Sequence, residues 1–210
     1  MEKYIVLGAG GHAKIVLDIL ESGGKEIAGL TDAVQTGKCL GYPILGPDSI
    51  LEELREQGIN CAAMGIGNVG KPAIRDKVYN YAKELGFAFP NVIHPTSIVS
   101  ASAHLEEGIV AAAGSVINPD ARIGSLAIIN TGAVVEHEVT LGYGVHVAPN
   151  ATVLGAASVG DNTFCGAGSV ILPMVHVGKN VIIGAGAVIR EDVPDDSVIV
   201  GIPGHIIKNK

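Results

Sequence analysis

The sequence predicts two parts of different fold class, a small α/β domain over residues 1–90 and an all-β solenoid over residues 91–210. Strand-like and helix-like segments alternate in the first part, and from Ile93 onward an aliphatic or small apolar residue occupies every sixth position. The composition agrees, since 29 of 210 residues are Gly, none is Trp, and only five Tyr and three Phe are present. Many tight corners around a narrow core require such a composition.

The first part alternates strands and helices. Short apolar segments predict strands at residues 4–7, 26–30, 60–64 and 87–89, and helix-like segments follow at 15–21, 47–57 and 71–85. This order is typical of a parallel sheet with crossover helices. Its length fits one mononucleotide-binding half better than a complete dinucleotide-binding fold.

A glycine-rich turn joins the first predicted strand to its helix. Gly8, Gly10 and Ala13 fit the G-x-G-x-x-G/A pattern, in which backbone amides and a helix N-terminus favour a diphosphate. Asp32 lies 24 residues after Gly8, where a carboxylate can bind a ribose. Two alternatives stay open: a tight strand-to-helix connection without a ligand, and an exposed turn residue at Asp32.

The second part keeps one six-residue phase for 17 consecutive positions. Each unit predicts a short strand and a corner, and three units close one coil, so that residues 18 apart stack one strand spacing apart. We expect the aliphatic residue to point inward, the small residue four positions later to turn the corner, and the frequent following Gly to supply unusual backbone angles. An open solenoid end is a sticky sheet edge, so a cap is expected after the last unit. The positions are Ile93, Val99, Leu105, Ala111, Ile117, Ile123, Ile129, Val135, Leu141, Val147, Val153, Val159, Cys165, Ile171, Val177, Ile183 and Ile189.

The coil period places His137 one coil below Gly155. A bare backbone amide beside an exposed imidazole can form a pair of general base and oxyanion donor. Glu138 is adjacent and could orient the ring or raise its basicity, and Asn130 adds a polar group one unit earlier. His146 lies half a coil from His137, so the two could meet only across an interface between chains. The alternative is that each histidine is a solvated surface residue.

The charge and the cysteine content of the chain argue against several classes of protein. The net charge of −7 leaves no basic surface for nucleic acid or an anionic membrane, and no apolar segment is long enough to span a bilayer. The three cysteines are an odd number without CxxC spacing, which supports neither a disulfide framework nor a zinc ribbon. We therefore expect reduced thiols, a cytoplasmic protein and no metal.

The six-residue repeat and four motifs give the chain a resemblance to the PglD/NeuD-type sugar acetyltransferases, over essentially its whole length. In the order of the chain, the motifs are GAGGHAK at 8–14, GIGN at 65–68, INTGAVVEHE at 129–138 and GIPG at 201–204. The resemblance implies a Rossmann-like N-terminal domain, a left-handed parallel β-helix, and a homotrimer that binds acetyl-CoA between neighbouring chains.

The resemblance also assigns roles. His137 becomes the general base with Glu138 as its partner, the Gly155 amide becomes the oxyanion donor, and Asn130 lies near the acceptor group. Contacts with acetyl-CoA fall on His146, Ala167 and Ala185, the last two through their backbone. The uridine diphosphate of the sugar would bind at Gly10, Gly11, His12, Asp32 and Gly67.

The function implied is an acetyl-CoA-dependent acetyltransferase acting on the amino group of a UDP-linked amino sugar, such as a bacillosamine-type precursor. Direct attack needs no covalent enzyme intermediate, so we expect Cys165, at an inward position, to be a core residue. The nearest alternative is O-acetylation of sialic acid or another surface-polysaccharide sugar. A solenoid carbonic anhydrase, a non-catalytic solenoid subunit and a serine acetyltransferase are further alternatives. A carbonic anhydrase would need three converging histidines, and a serine acetyltransferase is expected to have a helical N-terminal region.

Overall fold

The computed structural model describes residues 2–69 and 73–209, which divide into two compact units. Of these residues, the first unit comprises 2–67 and 73–95, and the second comprises 68–69 and 96–209. The fold confirms the predicted pairing of a small parallel-sheet domain with a run of short parallel strands.

The strands of the first unit are Lys3–Leu7 (β1), Glu26–Thr31 (β2), Lys38–Cys39 (β3), Tyr42–Gly46 (β4) and Cys61–Met64 (β5), and they form a five-stranded sheet in the order β3-β4-β2-β1-β5. All neighbours pair in parallel except β3 and β4, which form an antiparallel hairpin. Tyr4 to Leu7 of β1 are buried, and the apolar side of the first helix, from Ala13 to Leu20, is buried as well. The helices are Gly11–Ser22 (α1), Leu51–Glu56 (α2), preceded by a 3-10 turn at Asp48–Ile50, and Ala73–Glu84 (α3).

One prediction for this unit was wrong, and one element was not predicted. Residues 87–89 do not form a strand, because Ala88 makes only an isolated bridge to Cys61. The hairpin of β3 and β4 was missed; its turn is formed by Leu40 (φ 47°) and Gly41 (φ 89°), and the leucine is not a typical residue for a positive φ. The predicted start of the third helix at Lys71 lies outside the described residues.

The second part of the chain forms a parallel β-helix. Two-residue strands end on every position of the sixfold series, and strands 18 residues apart pair in parallel, as Val116 does with Val134. The series residues from Ala111 to Ile189 are buried, whereas Ile93, in the first unit, is 37 % exposed. The strands are Val92–Ile93, Ile98–Val99, His104–Leu105, Val110–Ala111, Val116–Ile117, Arg122–Ile123, Ile128–Ile129, Val134–Val135, Thr140–Leu141, His146–Val147, Thr152–Val153, Ser158–Val159, Phe164–Cys165, Val170–Ile171, His176–Val177, Ile182–Ile183 and Val188–Ile189.

The corners differ from the prediction in two respects. The left-handed backbone falls three residues after the inward aliphatic, as at Gly132 (φ 65°) and Glu138 (φ 60°), and the small residue after it, such as Ala133, is buried in the core. The Gly directly after the aliphatic does not have a positive φ. A Cβ at Gly124 or Gly160 would lie 2.7 Å from the backbone of the next coil, so the close approach of coils requires Gly there.

The end of the solenoid carries the expected cap. Strand Ser197–Val200 pairs in parallel with Ile182–Ile183 and antiparallel with the last strand, His205–Asn209.

No helix in the described ranges is long and apolar enough to cross a membrane. Cys165 is completely buried in the core, as expected, and burial raises the pKa of its thiol to about 12.

Candidate active site

The imidazole of His137 lies over the backbone of Gly155. The two residues occupy the same corner in consecutive coils, where the Ala156 amide donates to the His137 carbonyl at 2.9 Å. A Cβ built on Gly155 would lie 2.6 Å from both Cε1 and Nε2 of the ring. Only glycine leaves room for the imidazole, and the structure brings these two predicted site residues together.

Glu138 sets the protonation pattern of the ring. Its Oε2 lies 3.1 Å from Nδ1 of His137, and both side chains are exposed. An ionised carboxylate only accepts hydrogen bonds, so Nδ1 carries the hydrogen and Nε2 keeps its lone pair in the neutral ring. The basic nitrogen is therefore the one beside Gly155.

The Gly155 peptide offers a donor at the same place. Its carbonyl accepts from the Met174 amide at 3.0 Å, but its own amide donates to no acceptor within the described ranges. An amide held rigidly beside a basic nitrogen can stabilise negative charge developing on a carbonyl oxygen.

A second group of polar residues lies at another corner of the solenoid. The side-chain amide of Asn130 is 3.0 Å from Nε2 of His146, and Nδ1 of His146 is 2.7 Å from the main-chain oxygen of Asn68. His146 is only 7 % exposed. The sequence analysis included Asn68 only as the last residue of the GIGN motif and assigned it no role. No sequence signal links it to His146, 78 residues later.

Ala167 and Ala185 stack at this same corner, two and three coils above Asn130's neighbour Thr131. Each alanine stands between two glycines, and the Gly186 amide donates to the Ala167 carbonyl at 2.9 Å. Both alanines are exposed, and their amides donate to no acceptor among the residues described. The result is a strip of accessible backbone with no side chain longer than a methyl group.

In the first unit, the glycine-rich turn leaves the N-terminus of α1 open. Gly10 is the N-cap residue, and within residues 2–69 and 73–209 no side chain caps the helix and a Cβ on Gly10 or Gly11 would meet nothing within 4 Å. A helix N-terminus with open amides is suited to an anion such as a phosphate.

Asp32 holds this turn in place. Its Oδ2 accepts from the Ala9 amide at 2.9 Å, and its Oδ1 accepts from the amides of Val34 and Gln35 at 2.9 and 2.8 Å. Burial acts to raise the pKa of Asp32, but the hydrogen bonds from Gln35, Val34 and Ala9 outweigh it and lower the pKa. The carboxylate therefore binds the protein's own backbone, a role the sequence analysis did not assign.

The loop after β5 completes this region. A Cβ at Gly67 would lie 3.4 Å from Cβ of His12, and one at Gly8, where φ is 94°, would lie 2.6 Å from Ile66. Gly10, Gly11, His12 and Gly67 thus meet at the carboxyl ends of β1 and β5, the edge where parallel α/β sheets bind ligands.

No cluster of three or more His, Cys, Asp or Glu side chains in residues 2–69 and 73–209 could hold a metal ion.

Comparisons with known proteins agree on the architecture. The family described as PglD N-terminal domain matches residues 3–82, and the bacterial transferase hexapeptide family (six repeats) matches residues 156–191. A search of the curated proteins found no match.

Two solved structures resemble the chain over its length. One is a variant of perosamine N-acetyltransferase from Caulobacter crescentus, with one histidine replaced by asparagine, in complex with CoA and GDP-perosamine. It shares 40 % identity, covers 99 % of this chain and 98 % of that chain, and has a TM-score of 0.95. The other is the acetyltransferase domain of PglB from Neisseria gonorrhoeae in complex with acetyl coenzyme A. It shares 32 % identity, covers 98 % of this chain and 99 % of that chain, and has a TM-score of 0.92.

Proposed function

The chain belongs to the PglD/NeuD-type sugar acetyltransferases, hexapeptide-repeat acyltransferases with a Rossmann-like N-terminal domain, and on that premise we propose that it acetylates the amino group of a nucleotide-linked amino sugar. Acetyl-CoA is the donor. The observation that carries the proposal is the position of Nε2 of His137 beside the unoccupied amide of Gly155.

The proposed mechanism is direct transfer. The sugar amine attacks the thioester carbonyl carbon while Nε2 of His137 takes a proton from the nitrogen. The Gly155 amide stabilises the oxyanion of the tetrahedral intermediate, and Glu138 stabilises the imidazolium through Nδ1. Collapse of the intermediate breaks the carbon–sulfur bond, and the imidazolium returns its proton to the departing CoA thiolate.

We assign the donor to the strip at Ala167 and Ala185. Accessible backbone amides and methyl-sized side chains suit the extended pantetheine arm of acetyl-CoA, which carries amide groups of its own. One relative has been solved with CoA and the other with acetyl coenzyme A, which supports acetyl-CoA as the donor.

The nucleotide diphosphate is assigned to the open N-terminus of α1, at Gly10 and Gly11, with His12 and Gly67 beside it. The family resemblance of the sequence implied a uridine nucleotide with Asp32 at the ribose, whereas the Caulobacter relative binds GDP-perosamine. A guanosine-linked amino sugar therefore joins the uridine-linked one as a candidate acceptor.

An apolar outer face supports the proposed homotrimer with active sites between chains. This face is the sheet that contains Val134, three residues before His137, and its outward residues are partly or largely exposed and almost all apolar. An exposed apolar patch of this kind is typical of a surface that another protein covers. The residues are Ile98, Val116, Val134, Thr152, Val170 and Val188. A reducing, cytoplasmic setting is consistent with the three free, buried cysteines.

The test is acetyl-CoA consumption by the purified protein against UDP- and GDP-linked amino sugars and sialic acid, with the mass of each product measured. We expect an N-acetylated nucleotide sugar, and a rate lower by about a hundredfold or more in His137→Ala. An O-acetylated sialic acid as the product would support the alternative. No transfer to any acceptor, or full activity of His137→Ala, would contradict the proposal or its general base.

A further inference from the structure

A chain of hydrogen bonds runs through the buried side chain of His146. Asn68 donates from its side-chain amide to the Gly144 carbonyl at 2.9 Å, and its main-chain oxygen lies 2.7 Å from Nδ1 of His146. On the other side of the ring, Nε2 lies 3.0 Å from Nδ2 of Asn130. The Oδ1 atom of Asn130 accepts from the Thr131 amide at 2.8 Å.

The two ends of this chain fix its direction. The Asn68 main-chain oxygen can only accept, so Nδ1 of His146 must carry a hydrogen. The Thr131 amide can only donate, so Oδ1 of Asn130 faces it and Nδ2 faces the ring. The Asn130 amide then donates to the lone pair on Nε2 of a neutral His146, and both the tautomer and the amide orientation follow from the anchors.

Packing holds the ring in this position. His146 is paired with Ile128 in the coil below and with Phe164 in the coil above, and the Phe164 ring lies edge-on at 5.1 Å between centroids. With 7 % of its surface exposed, the imidazole has little room to turn.

We propose that His146 is a positioning residue that holds the Asn130 amide in one orientation toward the reacting groups, and that the Asn68 main chain selects the tautomer it needs. This inference rests on the proposed function, because it gives Asn130 its place near the acceptor. It replaces the contact with acetyl-CoA that the resemblance implied for His146, since both ring nitrogens already bind groups of the same chain.

Asn130 keeps one N–H of its amide for another partner. Nδ2 has two hydrogens, and His146 accepts one of them. Asn130 is half-buried, so the second hydrogen can reach a ligand at the corner. If the amide rotated, an oxygen would face Nε2 and two lone pairs would oppose each other, a conflict that the present orientation avoids.

The experiment compares two substitutions of His146 that differ in which ring nitrogen they imitate. His146→Gln places an oxygen near the position of Nε2 and can still accept from Asn130. His146→Asn keeps only a donor near the position of Nδ1. We expect kcat to fall on the order of ten- to a hundredfold in His146→Asn, with KM for acetyl-CoA within about twofold, and to recover most of that loss in His146→Gln.

Asn130→Ala supplies the coupling measurement. If His146 acts through Asn130, the double variant with His146→Asn has about the same kcat as Asn130→Ala alone. Additive losses, or a rise in KM for acetyl-CoA at unchanged kcat, overturn the inference.

A second measurement separates this inference from the proposed function. Nitrogen-15 NMR of histidine-labelled protein, with His146→Gln to identify the signal, should show a neutral ring protonated at Nδ1. A ring protonated at Nε2, or at both nitrogens, overturns the inference whether or not the enzyme is active. Failure of the wild-type protein to acetylate any sugar would reject the proposed function, while the NMR spectrum would still report on the hydrogen-bond chain.

Discussion

His137 and Gly155 are 18 residues apart, yet the imidazole of one lies against the backbone of the other, at 2.6 Å between Nε2 and the place where a Cβ would be. The separation equals one turn of the solenoid, so the contact follows directly from the repeat. The glycine has two uses here: it leaves space for the ring, and it places an amide beside the nitrogen that would accept the proton.

Gly155→Ala should therefore displace the imidazole rather than unfold the solenoid. We expect kcat to fall by about a hundredfold, because a shift of an ångström in a reacting group costs about that much. Gly114→Ala is the control: a Cβ there meets nothing within 4 Å, so activity should be retained despite some strain at φ 67°. Equal activity of Gly155→Ala and wild type would place the chemistry elsewhere.

Glu138→Gln tests the partner of the base. The amide cannot stabilise an imidazolium as a carboxylate does, so we expect kcat to fall about tenfold with the fold unchanged. Glu136→Gln is matched, since its carboxylate lies 3.3 Å from the His137 main-chain amide and not against the ring. Steady-state kinetics should show a loss for the first variant only; a similar loss in both would point to a general effect of charge.

Ala185→Val tests the strip assigned to the donor. A branched side chain would cover the accessible backbone, so KM for acetyl-CoA should rise by about tenfold while melting temperature stays the same. Ala113→Val is matched, because Ala113 occupies the same corner position four coils away. The assignment fails if Ala113→Val raises KM as much as Ala185→Val does.

Asp32→Asn tests the anchor of the glycine-rich turn. A carboxylate with a lowered pKa stabilises the fold above its ordinary value of 3.8, and this contribution is lost as pH falls through the lower pKa of the folded state. Denaturant unfolding should show a loss of about 1 kcal/mol at neutral pH. The loss should shrink below about pH 3.8. Asp18→Asn, on the exposed side of α1, should change little at either pH. A loss that does not depend on pH would mean that the charge of Asp32 is irrelevant.

Cys165 should be inert in the native protein. With its pKa raised to about 12, almost none of the thiol is ionised near pH 8, and no reagent reaches the core. Mass spectrometry after treatment with a thiol reagent should find Cys165 modified only once the protein unfolds. Rapid modification under native conditions would reopen a covalent mechanism.

The fold could be predicted from sequence because the repeat is local. Each unit from Ala111 to Ile189 carries its own inward residue and corner, so the phase alone predicts where strands end and which residues stack. The hairpin of β3 and β4 had no such repetition, and only Gly41 (φ 89°) in its turn is a typical turn residue, since Leu40 beside it also has a positive φ. The pairing of His137 with Gly155 belongs to the predictable part, and the role of Asn68 does not.

By itself, the sequence determined the two fold classes, the stacking of His137 on Gly155, and the glycine-rich turn at the end of β1. Only the tertiary structure decided that Asp32 binds the backbone of that turn, that close contact between coils requires Gly124 and Gly160, and that His146 joins Asn68 to Asn130. The physical reason is one of range. In a periodic chain, the repeat itself predicts which residues are neighbours. A hydrogen bond between residues 78 positions apart exists only after the chain has folded.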